Sequence, residues 1–169
     1  MDELLESLLA ERAITRVVQD YTRAVDRFDW ELLRSCYWPG ATDDHGTFTG
    51  DVDAFVEYLQ HLMPRFERTF HQLGQILIDL DLEVGIAAAE TYATAHHRIV
   101  GADGGAQDMV GGVRYVDRFE RRDGEWRIAA RVVAYDWHRT DLVTGRLGFP
   151  AGSTLGQRSQ RDIAYRILD

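Results

Sequence analysis

The segment RYVDRFERRDGEWRI, residues 114–128, decides the fold, because its pattern is that of two strands joined by a tight turn. Asp123-Gly124 is typical of the two-residue turns of β-hairpins, in which both residues can take a positive φ angle. Outward from this turn, runs of β-branched and aromatic residues separated by turn signals predict further strands. The four predicted strands are Phe70–Glu83, Ala87–Val100, Gln107–Arg121 and Glu125–Arg139.

Helical periodicity precedes the strands. The first predicted helix spans Glu3–Phe28, the second follows a cap at Asp29 and stops at the WPG of residues 38–40, and the third follows Asp51 and ends near Pro64. Helices followed by consecutive hairpins predict an α+β fold. In this fold the helices pack on one face of an antiparallel sheet.

Length and charge limit the kinds of partner. The 169 residues, 45% apolar and 28% charged, predict a single globular domain over residues 1–169, with 142–169 as a C-terminal flap or tail. The formal net charge of −9 disfavours nucleic acid and anionic membranes, which leaves a small molecule as the expected partner. No apolar run is long enough to span a membrane, and the acidic start does not resemble a signal peptide, so the cytoplasm is the expected location.

Two polar residues, Asp26 and His71, are candidates for a contact between the first helix and the sheet. Asp26 lies near the end of the first helix beside its apolar stripe, where a carboxylate needs a partner, and His71 begins the first long strand. If they meet, the carboxylate fixes the tautomer of the imidazole and stabilises its protonated form, which makes His71 a better general base. The alternative is that Asp26 forms a local cap or ion pair and His71 is an ordinary strand residue.

Other histidines are candidates for the same pocket. His96 and His97 are adjacent in a predicted strand, so their side chains point to opposite faces. His97 shares its face with Ala93 and Ala95 and is therefore expected to point inward. The alternative is one structural and one exposed histidine. His45, with Asp43 and Asp44 beside it in an apparent short strand, could line the mouth of the pocket or be solvated.

An apolar wall is expected from residues that could equally be ordinary core. In the last strand the even-numbered residues from Trp126 to Ala134 are expected to face the helices. Arg131, Tyr135 and Trp137 would then form an outer row suited to contact in a homo-oligomer, either a dimer or a trimer. The residues expected in the apolar wall are Tyr21, Phe28, Trp38, Phe55, Leu59 and Val132.

Neither a metal site nor a cofactor site is predicted. A lone cysteine, Cys36, cannot build a cysteine metal site, and the histidines and carboxylates do not follow the spacing of a known zinc or iron motif. The glycines between residues 101 and 112 do not follow a strand and open a helix, as a phosphate-binding turn requires.

Five segments together resemble the SnoaL-like branch of the NTF2-like superfamily, over roughly Leu4 to Arg139. They are RAVDRFDW, YWPGATDDHGTFTG, FHQLGQ, TYATAHHR and VRYVDRFERRDGEWRIAARVV. The resemblance implies a cone-shaped α+β barrel whose helices and curved sheet surround a ligand pocket. Within the branch, the chain is most similar to the group that contains scytalone dehydratase, hexachlorocyclohexane dehydrochlorinase and bile-acid dehydratase.

In those lyases an aspartate at the end of the first helix orients a histidine of the following long strand, which removes a proton. Asp26 and His71 fall at the matching positions, and His97 matches a second pocket histidine of scytalone dehydratase. The tyrosines that polarise the substrate carbonyl in that enzyme are not evident here. Val25 precedes Asp26, and His45 stands near the place of the second tyrosine.

The resemblance implies a cofactor-independent lyase, a dehydratase or dehydrohalogenase, acting on a small cyclic apolar molecule. His71 would be the general base, Asp26 its orienting carboxylate, and His97 an auxiliary acid or substrate contact. The same fold hosts proteins with other functions. The alternatives are therefore a non-catalytic ligand-binding protein, a dioxygenase β-type partner subunit, or an isomerase or polyketide cyclase using the same pocket.

Overall fold

A computed structural model describes residues 3–102, 104–145 and 148–167 of the chain. The three α-helices and two of the six strands lie in the first part of the described chain. The other four strands follow as long hairpins. The helices are α1 (Glu3–Arg27), α2 (Trp30–Ser35) and α3 (Val52–Leu62). The strands are β1 (Tyr37–Asp44), β2 (Thr49–Asp51), β3 (Arg68–Asp81), β4 (Ile86–Val100), β5 (Ala106–Arg122) and β6 (Glu125–Leu142).

The strands form one curved sheet in the order β2-β1-β6-β5-β4-β3. Consecutive hairpins join β3 to β6 with antiparallel pairing, and the helices pack on one face, so the predicted α+β fold is confirmed. In addition, β1 pairs antiparallel with β2 and parallel with β6. The sheet is therefore mixed rather than wholly antiparallel, and it does not close into a complete barrel.

The end of α1 controls where Asp26 lies. Phe28 has a left-handed φ of 57°, and the amide of Asp29 donates to the carbonyl of Ala24 at 3.0 Å, which is the hydrogen bond of a Schellman motif. Asp29 then caps α2 by accepting from the amide of Leu32 at 3.1 Å. This ending leaves Asp26 in the last turn of α1, on its buried face.

The WPG of residues 38–40 lies within β1 instead of ending α2. The second helix stops earlier, at Ser35. Pro39 is tolerated because the pairing of β1 with β6 is irregular between Tyr37 and Thr42, where no regular ladder hydrogen bond is required from a proline nitrogen.

Two β-bulges in β6 change which side chains face the helices. The first inserts Ala129 into the ladder with β5, so the alternation shifts by one residue. As a result Arg131 and Val133 are buried, and Val132 is half exposed on the outer face. The expectation that Val132 faces the helices is wrong for this reason.

The second bulge inserts Asp136 and turns its side chain outward, where it pairs with Arg114. Trp137 then covers Gly112 on the outer face, where a Cβ would lie 2.1 Å from the indole nitrogen. Of the outer row expected for an oligomer contact, only Trp137 lies there, because Arg131 is buried and Tyr135 lines the inner side.

The core lies between the inner face of the sheet and the helices. Ile14 and Val18 of α1 and Phe55 of α3 meet Phe119 and Ile128 of the sheet, and all five are fully buried. Among the described helices, none has the length and apolar character needed to cross a membrane.

The C-terminal segment, residues 148–167, packs near the ends of α1 and α3. The hydroxyl of Tyr165 donates to Asp29 at 3.0 Å. The guanidinium of Arg158 donates to the carbonyl of Met63 at 3.0 Å and lies 4.1 Å from the ring centroid of Phe28. These contacts attach part of the predicted tail to the domain; residues 146–147 and 168–169 of that tail lie outside the described ranges.

The β5–β6 turn provides a test of the fold. Asp123 and Gly124 have φ angles of 52° and 84°, so Gly124→Ala forces an L side chain into the left-handed region. We expect a loss of about 1–2 kcal/mol in the free energy of unfolding, measured by urea denaturation. Gly145→Ala, at an exposed glycine with open space around it, is the control and should change stability little. Equal effects of the two substitutions would contradict the turn geometry.

Candidate active site

A cavity of about 370 Å³ opens between the inner face of the sheet and the helices α1 and α3. Its wall is largely apolar, and its volume is in the range of small-molecule sites. Four of the six histidines of the chain line it: His45, His71, His97 and His138.

The carboxylate of Asp26 makes two hydrogen bonds to His71. Oδ1 lies 2.7 Å from Nδ1 of the imidazole, and Oδ2 accepts from the backbone amide of His71 at 3.0 Å. Both side chains are about nine-tenths buried. Burial alone would raise the pKa of Asp26, but the hydrogen bonds and charge of His71 outweigh it and hold that pKa below its ordinary value.

This contact assigns the tautomer of His71. A carboxylate accepts hydrogen bonds, so the proton of the neutral ring lies on Nδ1, facing Asp26. Nε2 then carries the lone pair and is the nitrogen left to face the cavity. The arrangement can take a proton from a bound molecule.

His97 lies beside His71 on the same inner face. The two rings meet edge to face with centroids 5.4 Å apart, and Phe66 stacks on His97 at 4.6 Å. Within the described part of the chain, Nδ1 of His97 is buried without a hydrogen-bond partner. Burial, followed by repulsion from His71, lowers the pKa of His97 to about 3. His97 is therefore neutral at physiological pH, whereas its neighbour His96 faces outward, near Asp108.

A second carboxylate–histidine pair lies in the same cavity. Asp43, at the end of β1, hydrogen-bonds Nδ1 of His45 through one oxygen and accepts from the hydroxyl of Tyr37 at 2.6 Å through the other. Nε2 of His45 lies 3.1 Å from the hydroxyl of Tyr21. His45 also stacks on Phe55 with ring centroids 4.6 Å apart.

A buried ion pair lies behind Tyr21. Arg131 makes two hydrogen bonds of 2.7 Å to Asp117, and neither side chain is exposed to solvent. The guanidinium carbon lies 4.0 Å from the ring centroid of Tyr21 and 4.4 Å from that of Tyr115. Burial raises the pKa of Tyr21 well above 10, so its phenol keeps its proton.

The model of the SnoaL-like domain matches residues 6–132, three quarters of the chain. The chain belongs to the SnoaL-like family. No curated protein matches this chain.

Solved structures with the same fold carry different functions. A candidate scytalone dehydratase from Novosphingobium aromaticivorans shares 24% identity at a TM-score of 0.69, over 87% of this chain and 96% of that one. The hexachlorocyclohexane dehydrochlorinase LinA-type3 from Novosphingobium barchaimii shares 18% at 0.72, over 86% and 98%. A candidate aromatic ring hydroxylase from Novosphingobium shares 19% at 0.63, over 78% and 91%. At these identities the comparison shows the fold alone.

Three of the seven substrate-contact side chains expected around the pocket line it in this SnoaL-like domain. Tyr21, His45 and Leu59 do so. Phe28 stacks on Trp30 at the end of α1, outside the cavity, and Phe55 lies behind His45 in the core. These two do not line it.

Trp38 and Val132 are also absent from the wall. The indole of Trp38 donates to the carbonyl of Glu120 at 2.9 Å, away from the cavity. Val132 is outside because of the bulge at Ala129, and Val133 lines the cavity in its place.

Sequence reasoning missed Asp117, placed Arg131 on the outer face, and did not predict that Asp43 is buried against Tyr37 and His45. One signal for Asp117 was present, since it shares its strand face with the apolar Tyr115 and Phe119. Arg131 gave no comparable signal, because only the bulge turns it inward.

The low pKa of His97 predicts a pH dependence of stability. Below about pH 6.5 the unfolded chain protonates this histidine, whereas the folded chain keeps it neutral down to about pH 3. The unfolded state then binds more protons, so this contribution to stability is lost as the pH falls through that window. His97→Gln should reduce the slope of the unfolding free energy against pH, measured by urea denaturation, by up to roughly 1.4 kcal/mol per pH unit. His61→Gln, at an exposed histidine, should leave that slope unchanged. Equal slopes in wild type and both variants would show that His97 does not have a lowered pKa.

The Arg131–Asp117 pair predicts a large asymmetry between buried and surface ion pairs. Asp117→Asn leaves the buried guanidinium without its counter-charge and should cost about 3–5 kcal/mol of unfolding free energy. The matched change Asp108→Asn, in the more exposed pair with Arg98, should cost about 0–1 kcal/mol. Similar losses in urea denaturation would show that the buried Arg131–Asp117 pair contributes no more to stability than the Arg98–Asp108 pair.

Proposed function

We propose that the protein is a cofactor-independent lyase of the dehydratase or dehydrohalogenase type, acting on a small, cyclic, largely apolar molecule. The observation that supports this most is the Asp26–His71 contact inside the cavity. A base that uses Nε2 and is held by a carboxylate on Nδ1 is suited to removing a proton from carbon.

The surroundings of His71 favour an apolar ligand. Ala95, Val113, Leu59 and Met63 line the cavity, and the polar groups are concentrated in a few histidines and tyrosines. Such a site binds a ring by burial of apolar area and orients it with a small number of hydrogen bonds.

His97 serves as a neutral contact for the ligand instead of an acid. With a pKa of about 3, it cannot supply a proton as an imidazolium near neutral pH. Its ring lies edge to face with His71, so it can hydrogen-bond a substrate oxygen close to the reacting carbon.

Isomerisation by the same dyad is the second candidate, because His71 could return the proton to another carbon of the ring. Product mass separates the two reactions, since elimination removes water or acid. A non-catalytic pocket protein, or a partner subunit of another enzyme, predicts no turnover.

The test compares His71→Gln and Asp26→Asn with wild type on a panel of cyclic alcohols, ketones and halides, with products followed by mass spectrometry. Loss of the base should lower kcat by about 100-fold or more, and Asp26→Asn should also lower it because the tautomer is no longer held. His61→Gln, at an exposed histidine of α3, is the matched control. If the His71 variant consumes a substrate as fast as wild type, His71 is not the base.

A further inference from the structure

The cavity contains a second carboxylate–histidine pair that the His71 mechanism does not use. Asp43 is fully buried, and its two oxygens are taken by Tyr37 and His45. With Nδ1 of His45 directed to Asp43, the other ring nitrogen meets the hydroxyl of Tyr21. Both His45 and Tyr21 line the cavity.

The histidines of the two pairs lie at strands that are well separated in the sheet. His45 follows β1, and His71 lies in β3; β6, β5 and β4 separate these two strands. Both histidines line the same cavity. A ligand in that cavity can therefore contact both of them.

The elimination of water requires an acid that protonates the leaving oxygen. A base removes the proton on carbon, but hydroxide is a poor leaving group unless its oxygen is protonated as the bond breaks. His97 beside His71 is neutral and cannot give that proton. His45 in its protonated form, with Asp43 on Nδ1, can pass a proton from Nε2 through the hydroxyl of Tyr21.

We infer that His45, acting with Tyr21, is the acid that protonates the leaving oxygen, and that the protein therefore prefers a cyclic alcohol to a halide. This inference rests on the proposed lyase function and deepens it. Asp43 is a positioning residue that fixes the ring of His45 and stabilises its protonated form.

The step balances as follows in atoms and electrons. Nε2 of His71 takes the proton on carbon, the C–H electron pair becomes the new C=C bond, and the C–O bond breaks with its electrons on oxygen. That oxygen takes the hydroxyl proton of Tyr21, which is replaced by the proton on Nε2 of protonated His45, and the products are an alkene and water. His71 has gained one proton and His45 has lost one, and exchange with solvent restores both.

A pair of probes with one common product tests the assignment. Racemic 3-hydroxycyclohexanone loses water to give cyclohexenone, whereas 3-(4-nitrophenoxy)cyclohexanone gives the same enone by losing 4-nitrophenolate, which leaves without being protonated. His45→Gln should lower kcat for the alcohol by about 100-fold and change that for the aryl ether little. His71→Gln should lower both. A His45 variant that loses both activities equally, or neither, overturns the inference.

Tyr21→Phe is the second variant, because it removes only the hydroxyl and keeps the ring against Arg131 and Tyr115. It should lower kcat for the alcohol selectively, with KM unchanged. A purely structural role would instead lower stability and both activities together. Urea denaturation of each variant shows whether the fold is kept.

A binding experiment separates failure of this inference from failure of the proposed function. In protein with ¹⁵N-labelled histidine, cyclohexanol should shift the Nε2 resonance of His45, and chlorocyclohexane should not. Asp43→Asn should weaken that response. If wild type turns over neither ketone, the lyase proposal fails for this class while the NMR result still decides the role of His45. Shifts confined to His71 and His97, or no shift at all, refute the inference that His45 contacts the leaving oxygen.

Discussion

The contact between a carboxylate at the end of the first helix and an imidazole of the first long strand is the constraint around which this SnoaL-like domain is organised. Asp26 is buried, and a buried carboxylate is costly unless its oxygens accept hydrogen bonds. His71 satisfies it twice, through the ring and through the backbone amide. The same two bonds join α1 to the edge strand β3 and orient the imidazole at the cavity wall, so one interaction serves both packing and the geometry of the site.

A second pair of buried polar groups, Arg131 and Asp117, lies deeper in the domain. Arg131 and Asp117 neutralise each other in the core, and the guanidinium lies against the faces of Tyr21 and Tyr115. These tyrosines form part of the cavity wall. The ion pair therefore stabilises the wall from behind, and it keeps a positive charge close to the phenol that meets His45.

Local signals in the sequence were strong where short-range chemistry decides the conformation. The Asp123-Gly124 turn, the Asp51 cap of α3 and the boundaries of the four long strands follow from the properties of nearby residues. The pairing of β1 with β6 and the two bulges of β6 depend on residues distant in the chain. For that reason the faces assigned to Arg131 and Val132 were reversed, since one inserted residue moves every following side chain to the other face.

The amino-acid sequence by itself determined the α+β class, the order of helices before hairpins, the family resemblance, and Asp26, His71 and His97 as the residues to consider. Only the tertiary structure decided which groups meet. Asp43, His45 and Tyr21 form a hydrogen-bonded chain because β1 pairs with β6 and is brought close to α1, and Arg131 is a core residue because of a bulge. The Asp43–His45 hydrogen bond joins residues two apart in the chain. The contact of His45 with Tyr21 and the burial of Arg131 are instead set by segments far apart in sequence.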